Sequence, residues 1–262
     1  MASPAISEAA AIVRLVREGV NGSARSPYHD DFVSDRIERA LEAQMKARIS
    51  EVRLPRVERS QSMLYAAQLN SKALERVTPF IPKSTSKENL SNQADIALAS
   101  FKAGVCVSAN LNIGTFDSHK DNDTDQMNRI PTILAGIDYL VTRAEELQIR
   151  DKLVIVMQSE MGRTPSYNKG NGKDHWSIGS IMFMGSGIRG NRVVGATDEK
   201  QFLIPVNPKS LATDEENGIR VRPEHIHATL RKFAGIDKHV FSRRFPLKVL
   251  DEEQIDGLFG QG

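Results

Sequence analysis

Residues 152–157 (KLVIVM) constrain this chain more than any other stretch. A continuous apolar run of that length, closed by Asp151 on one side and Gln158-Ser159-Glu160 on the other, fits a strand buried on both faces. Its surroundings suggest how it is covered. Residues 105–111 (VCVSANL) suit a second strand, 126–148 a helix, and 178–184 another short strand. Strand, helix, strand in that order is a βαβ unit, which predicts a mostly parallel sheet with a right-handed crossover. The chain is therefore expected to be an α/β protein.

The first ninety residues have a different texture. Apolar positions recur at helical spacing over 5–18, 31–53 and about 56–77, with stop signals at Asn21-Gly22 and Thr78-Pro79. Residues 83–90 (KSTSKENL) read as a polar loop. Residues 91–103 read as a further helix with Ser91 as its N-cap, and a last helix is expected from Pro223 to Phe233, stopped by Gly235. The expected organisation is a mainly helical region over 1–90, packed on an α/β core over 91–262, in one compact domain.

Composition removes several classes of function. With 35 basic against 33 acidic side chains, the net charge of +2 supplies no field for nucleic acid. The single cysteine, Cys106, excludes an intrachain disulfide framework and a cysteine-rich metal site, and its apolar neighbours Val105 and Val107 suggest a buried thiol. No apolar run is long enough to span a membrane. The start, MASPA, is not a signal peptide. The protein is then cytoplasmic, or periplasmic or exported if an upstream targeting segment has been removed.

The polar clusters follow the strands. The loop at 112–125 brings Asp117 and His119, and the segment after Met157 brings Glu160, Arg163, Asp174 and His175. In open parallel sheets ligands bind at the carboxyl ends of the strands, so two such loops can meet. Imidazoles and carboxylates together suit a divalent metal: zinc, manganese or iron, or with more carboxylate character magnesium or calcium. The alternative is that these side chains only cap turns. Asp121, Asp123 and Asp125 have the spacing of a calcium loop without its glycine and terminal glutamate, and read as a solvated loop or a helix cap. Gly185, Gly187 and Gly190 have dinucleotide-loop spacing, but no helix pattern follows. His225 and His227 read as surface residues, and Trp176 as a packing residue.

Three strings occur in order: Phe116-Asp117-Ser118-His119, Ser159-Glu160-Met161-Gly162-Arg163-Thr164-Pro165, and Asn171-Gly172-Lys173-Asp174-His175-Trp176. With Gly185–Gly190 and Val194–Asp198, they resemble the signature of the DUF1501 family, related to the alkaline phosphatase and sulfatase superfamily. The resemblance implies a three-layer α/β/α core, alkaline phosphatase-like, holding one or two divalent ions (zinc, manganese or calcium). It implies Asp117, His119, Glu160 and His175 as ligands, Asp174 as a ligand or its supporting partner, and Arg163 orienting Glu160 or binding a substrate anion. The implied activity is metal-dependent hydrolysis of a small anionic ester, a phosphate or sulfate. The alternative is a non-catalytic binding protein on the same fold. Two departures stand out: no apolar strand ending in an acid precedes residue 104, and Asn122 stands where a histidine is expected. By this resemblance the chain corresponds to the carboxyl-terminal portion of such a protein, or to a shortened or degenerate member.

Overall fold

The structure, a computed structural model, describes residues 76–259 apart from 85, 87 and 115, together with isolated helical positions between 36 and 47. The helix expected over 5–18 lies outside the described residues, as do most of 31–53 and all of 56–77 but its last two residues. The described fold mixes helices with small antiparallel sheets. Helix α1 is Asn89–Lys102 and α2 is Asn122–Glu146. The strands are β1 Val154–Gln158, β2 Gly162–Arg163, β3 His175–Trp176, β4 Ile181–Gly185, β5 Ala196–Thr197 and β6 Leu203–Ile204. Helices α3, Pro223–Phe233, and α4, Val240–Arg244, follow.

The chain divides into two compact units, 1–114 with 131–149, and 115–130 with 150–262. Within the first, α1 buries Ala94, Ile96, Ala97, Leu98 and Ala99. The helix begins at Asn89, so Ser91 is a buried helical residue and not the N-cap. Val77, Ala99 and Ala103 form a small core with Phe80 and Ile81 against it. Two of the polar side chains buried here, Gln93 and Asp95, are paired. The Gln93 side chain both donates to and accepts from the Asn112 backbone, each at 2.8 Å. Asp95, 4% exposed, accepts from Tyr139 Oη at 2.9 Å and faces Arg143.

That pairing has a measurable consequence. Burial, then the Asp95 hydrogen bond and charge, push the Tyr139 phenol up to about 12 from 10.0. A raised folded value favours the neutral phenol. Its contribution to stability is complete below pH 10 and lost as pH rises through 12. Ultraviolet titration of the protein against Tyr139→Phe should show one more late-ionising tyrosine in the former. A difference spectrum with the ordinary midpoint of a free phenol would contradict it.

The expected parallel sheet is corrected by the pairing of the strands. β1 and β4 pair antiparallel, from Val154 opposite Gly185 to Gln158 opposite Ile181. β2 with β3 and β5 with β6 are antiparallel as well, and each sheet among the described residues has two strands. The reason lies in the connections. A parallel crossover needs a strand on each side of its helix in one sheet. The helix α2 is present, but 105–111 joins no strand ladder among the described residues, and Val107 is 98% exposed. The chain leaving β1 passes through the β2–β3 hairpin without a crossover helix and returns in the opposite sense. Nor is β1 covered on both faces, since Val156 and Met182 are exposed. The mostly parallel three-layer core is therefore not what these residues build.

Other expectations fare variously. Helix α3 has the predicted limits, with Pro223 in its first turn and Gly235 beyond its end at φ +67°. Helix α2 starts at Asn122 and not near Gln126, which places Asp123 and Asp125 in its first turn, where carboxylates favour the exposed N–H groups. Cys106 is half-buried, between exposed Val105 and Val107. His225 is not a surface residue. It is 1% exposed, because its Nδ1 accepts from the Arg222 N–H at 2.9 Å and turns the ring inward towards Glu253. His227 is exposed. Trp176 packs against Phe202 and donates Nε1–H to the Gln201 carbonyl.

Candidate metal centre

Two loops of the second unit build the site. The first is 116–121, ahead of α2. Asp117 and His119 alternate there with Ser118, which is 2% exposed and donates to Asn122 Oδ1 at 2.6 Å. Gln126 Nε2 donates to Ser118 Oγ and to the Phe116 carbonyl. Ser118 turned inward leaves the side chains on either side facing outward. Asn122, at the position expected for a histidine, is 8% exposed and occupied in holding Ser118.

The second loop is 164–174, between β2 and β3. The hairpin sets Arg163 opposite His175. The two loops are laced by backbone bonds: Lys173 N–H to Ser118 O, Asp121 N–H to Gly170 O, and Asn122 N–H to Asn171 O, at 2.9 to 3.1 Å. Their closest approach is at Gly172. A Cβ there would lie 2.0 Å from both the carbonyl carbon and the oxygen of His119. Only glycine lets the loops meet at this register.

The lacing brings three ligand-type atoms into a triangle. His119 Nε2 and His175 Nε2 each lie 3.0 Å from Asp117 Oδ1, and 3.2 Å from each other. Asp117, His119 and His175 are the group of described residues whose atoms converge in a manner suited to an ion. Arg163 donates to Asp117 Oδ1 at 2.5 Å. That bond first, then the one from His175, holds the Asp117 carboxyl down at about 2 from 3.8, so it is a carboxylate at neutral pH.

The remaining predicted residues take different positions. Asp174 Oδ1 lies 3.0 Å from His119 Nδ1, behind the ring and away from the triangle. Its carboxyl is also held down, first by His119 and then by Asn168. Arg163 spends both terminal nitrogens on Asp117, the Phe116 carbonyl and the Lys173 carbonyl. Its fork braces the two loops. Glu160, exposed in the turn after β1, stands outside the converging group.

One residue that sequence reasoning passed over joins the site. Asn168 Nδ2 donates to Asp174 Oδ1 at 3.1 Å and to the His119 carbonyl at 3.0 Å. Its Oδ1 accepts from the Gly170 and Gly172 N–H groups. An asparagine with glycines two and four residues on was the available signal, since such side chains bond backbone two residues ahead.

A family model covers both loops and most of the chain. The chain belongs to the DUF1501 family. The family model, described as a protein of unknown function, matches residues 32–257. No curated protein and no solved structure matches the chain. In this DUF1501 protein His119 and Asp174 form a histidine–carboxylate pair, and where such a pair supports a metal ligand, loss of the carboxylate typically weakens metal binding about 10–100-fold. Asp174→Ala should do the same, read by calorimetric titration with manganese. Unchanged affinity would show that Asp174 does not act through His119.

Proposed function

We propose that this DUF1501 protein is a metal-dependent hydrolase of phosphate or sulfate esters, with its ion at Asp117, His119 and His175. One observation carries the metal assignment. A carboxylate only accepts, and His119 faces one on each side, Asp174 at 3.0 Å from Nδ1 and Asp117 at 3.0 Å from Nε2, so the single proton of a neutral ring leaves one nitrogen turning a lone pair towards a carboxylate. With the proton on Nδ1, Nε2 turns its lone pair towards Asp117 Oδ1 at 3.0 Å and towards His175 Nε2 at 3.2 Å. Electron pairs converging in this way call for a cation. A second proton on His119 would meet the same need, and the experiment below separates the two.

The donor set, two imidazoles and a carboxylate, suits a divalent transition ion. A bound ion would lower the pKa of water and polarise an ester oxygen. Around it, Asp174 and Asn168 hold the His119 ring, and Arg163 holds Asp117. The ester class rests on the resemblance of the three motif strings to the alkaline phosphatase and sulfatase superfamily.

Two observations favour a second reading, a binding protein without turnover. Arg163 is committed to the protein and not offered to an anion. The shallow cleft of about 330 Å³ formed by the same two loops is lined by Asp121 and Asp123 beside Thr124, Tyr167 and Asn171, and two carboxylates repel an anionic ester. Metal analysis after gentle purification, followed by a screen of aryl phosphates and sulfates with added manganese or zinc, distinguishes these outcomes. Stoichiometric metal with ester turnover supports the hydrolase. Stoichiometric metal without turnover supports the binding protein. A chain that takes up no divalent ion under any of these conditions overturns the metal assignment and the hydrolase with it.

A further inference from the structure

Away from the metal centre, the segment around α4 turns apolar and basic side chains outward together. Val240, Phe241 and Phe245 are 65%, 60% and 62% exposed. Lys238, Arg243, Arg244 and Lys248 are exposed beside them, and no acid lies between Lys238 and Leu250. Asp237 at one end is half-buried, and at the other end Asp251 and Glu252 are exposed while Glu253 turns to Arg222 and His225. The segment is held from inside. Ser242 Oγ donates to the Ile236 carbonyl at 2.6 Å, and Arg231 donates to the Phe245 carbonyl at 2.8 Å. His239 Nδ1 accepts the Phe241 N–H and caps the helix. With Ser242 facing in, a turn of about 100° per residue sets Val240 and Arg244 on the outward side. Phe241 and Phe245 flank them, four residues apart, with the Arg244 guanidinium 5.9 Å from the Phe245 ring.

The two kinds of side chain make different demands. Exposed phenylalanine and valine gain by leaving water, whereas arginine and lysine need an anionic or wet partner. A free phosphate would satisfy only the second demand. An anionic bilayer surface satisfies both, because its acyl boundary takes the rings and its headgroup phosphates accept from the guanidinium forks. The aliphatic stems of arginine and lysine reach from one layer to the other. We propose that the exposed face of residues 238–248 docks on an anionic phospholipid membrane. The protein lies on the bilayer without crossing it; no described helix is long and apolar enough to span one. With a net charge of only +2, attraction to the bilayer comes from this local excess and not from the chain as a whole. The surface is independent of the metal reading above.

The full chain is mixed with vesicles of phosphatidylglycerol and phosphatidylcholine, or of phosphatidylcholine alone, and bound protein is separated by sedimentation. Binding to the anionic vesicles only, weakened by added salt, is expected. Each lysine or arginine at such a surface typically strengthens binding about fivefold, so Arg243→Gln with Arg244→Gln should weaken it about 25-fold. Phe241→Ser with Phe245→Ser should weaken it as well. Lys200→Gln with Arg220→Gln removes the same charge from exposed positions elsewhere and should cost much less. Equal losses in the two glutamine variants, equal binding to both kinds of vesicle, or no binding to anionic vesicles would each overturn the proposal. A dimer in size exclusion that Phe241→Ser with Phe245→Ser converts to monomer would overturn it too, and would make the occupant a second copy of this chain.

Discussion

Gly172→Ala is expected to separate the two ligand loops and to weaken divalent-metal binding beyond the ~100-fold that loss of a supporting hydrogen bond typically costs. The added Cβ would stand 2.0 Å from the His119 carbonyl carbon and oxygen and 2.4 Å from the Lys120 nitrogen. These are backbone atoms, so no side-chain rotation relieves the contact. Either His119 or the 170–173 segment must move. Movement breaks the bonds from Lys173 to Ser118, Asp121 to Gly170 and Asn122 to Asn171 that set the register of the site. The triangle of Asp117, His119 and His175 then loses an edge. Overpacking of this kind also costs about 1–3 kcal/mol of stability, sometimes more. Manganese titration by calorimetry, with urea unfolding alongside, measures both effects. A folded Gly172→Ala protein with unchanged affinity would show that loop register does not assemble the centre.

His119→Ala should have an effect of similar size by a different route. It removes one of three ligand atoms and leaves the fold's backbone lacing in place, since the bonds across 118–122 and 170–173 are main-chain bonds. If four ligands bring a structural zinc roughly 10–16 kcal/mol, one ligand is worth about a quarter of that, or roughly 10²–10³-fold in affinity. Any ester turnover should fall with it. Stability in the absence of metal should change little, because His119 is exposed and its ring contacts are with other exposed side chains. The contrast is diagnostic. Gly172→Ala costs metal and stability together, whereas His119→Ala costs metal alone. Equal retention of metal in wild type and His119→Ala would remove His119 from the ligand set.

Much of this site was legible in residue types. Asp117, His119 and His175 stand out because imidazole and carboxylate side chains recur in two polar loops. Their order within three motif strings points to DUF1501, and the family match over 32–257 agrees. Their division of labour was not legible. Asp174 and His175 are adjacent in sequence, yet the two face different atoms of His119, Nδ1 and Nε2. Glu160 looked stronger than Asp174 because it follows the apolar run directly, but β1 ends at Gln158 and leaves it exposed in the turn. Asn168 carries only a local signature, the glycines two and four residues on, which says nothing of His119 or Asp174. Its importance lies in four hydrogen bonds to groups up to 49 residues away.

The sheet shows the same division. The run at 154–158 forms a strand, as its composition demands, because β-branched and apolar residues fit a pleated surface. Helix α3 keeps its predicted limits because a proline at the start and a glycine past the end act within a turn of themselves. Pairing is not local. An apolar run does not name its partner, so parallel addition to 105–111 and antiparallel pairing with Ile181–Gly185 were equally compatible with the sequence. The connection through the β2–β3 hairpin decided between them.

The KLVIVM run by itself determined that a strand would form and that polar loops would follow it. Tertiary structure alone decided which of the five proposed ligands converge. The deciding contacts are backbone hydrogen bonds between 118–122 and 170–173, which depend on register across some fifty residues of intervening chain.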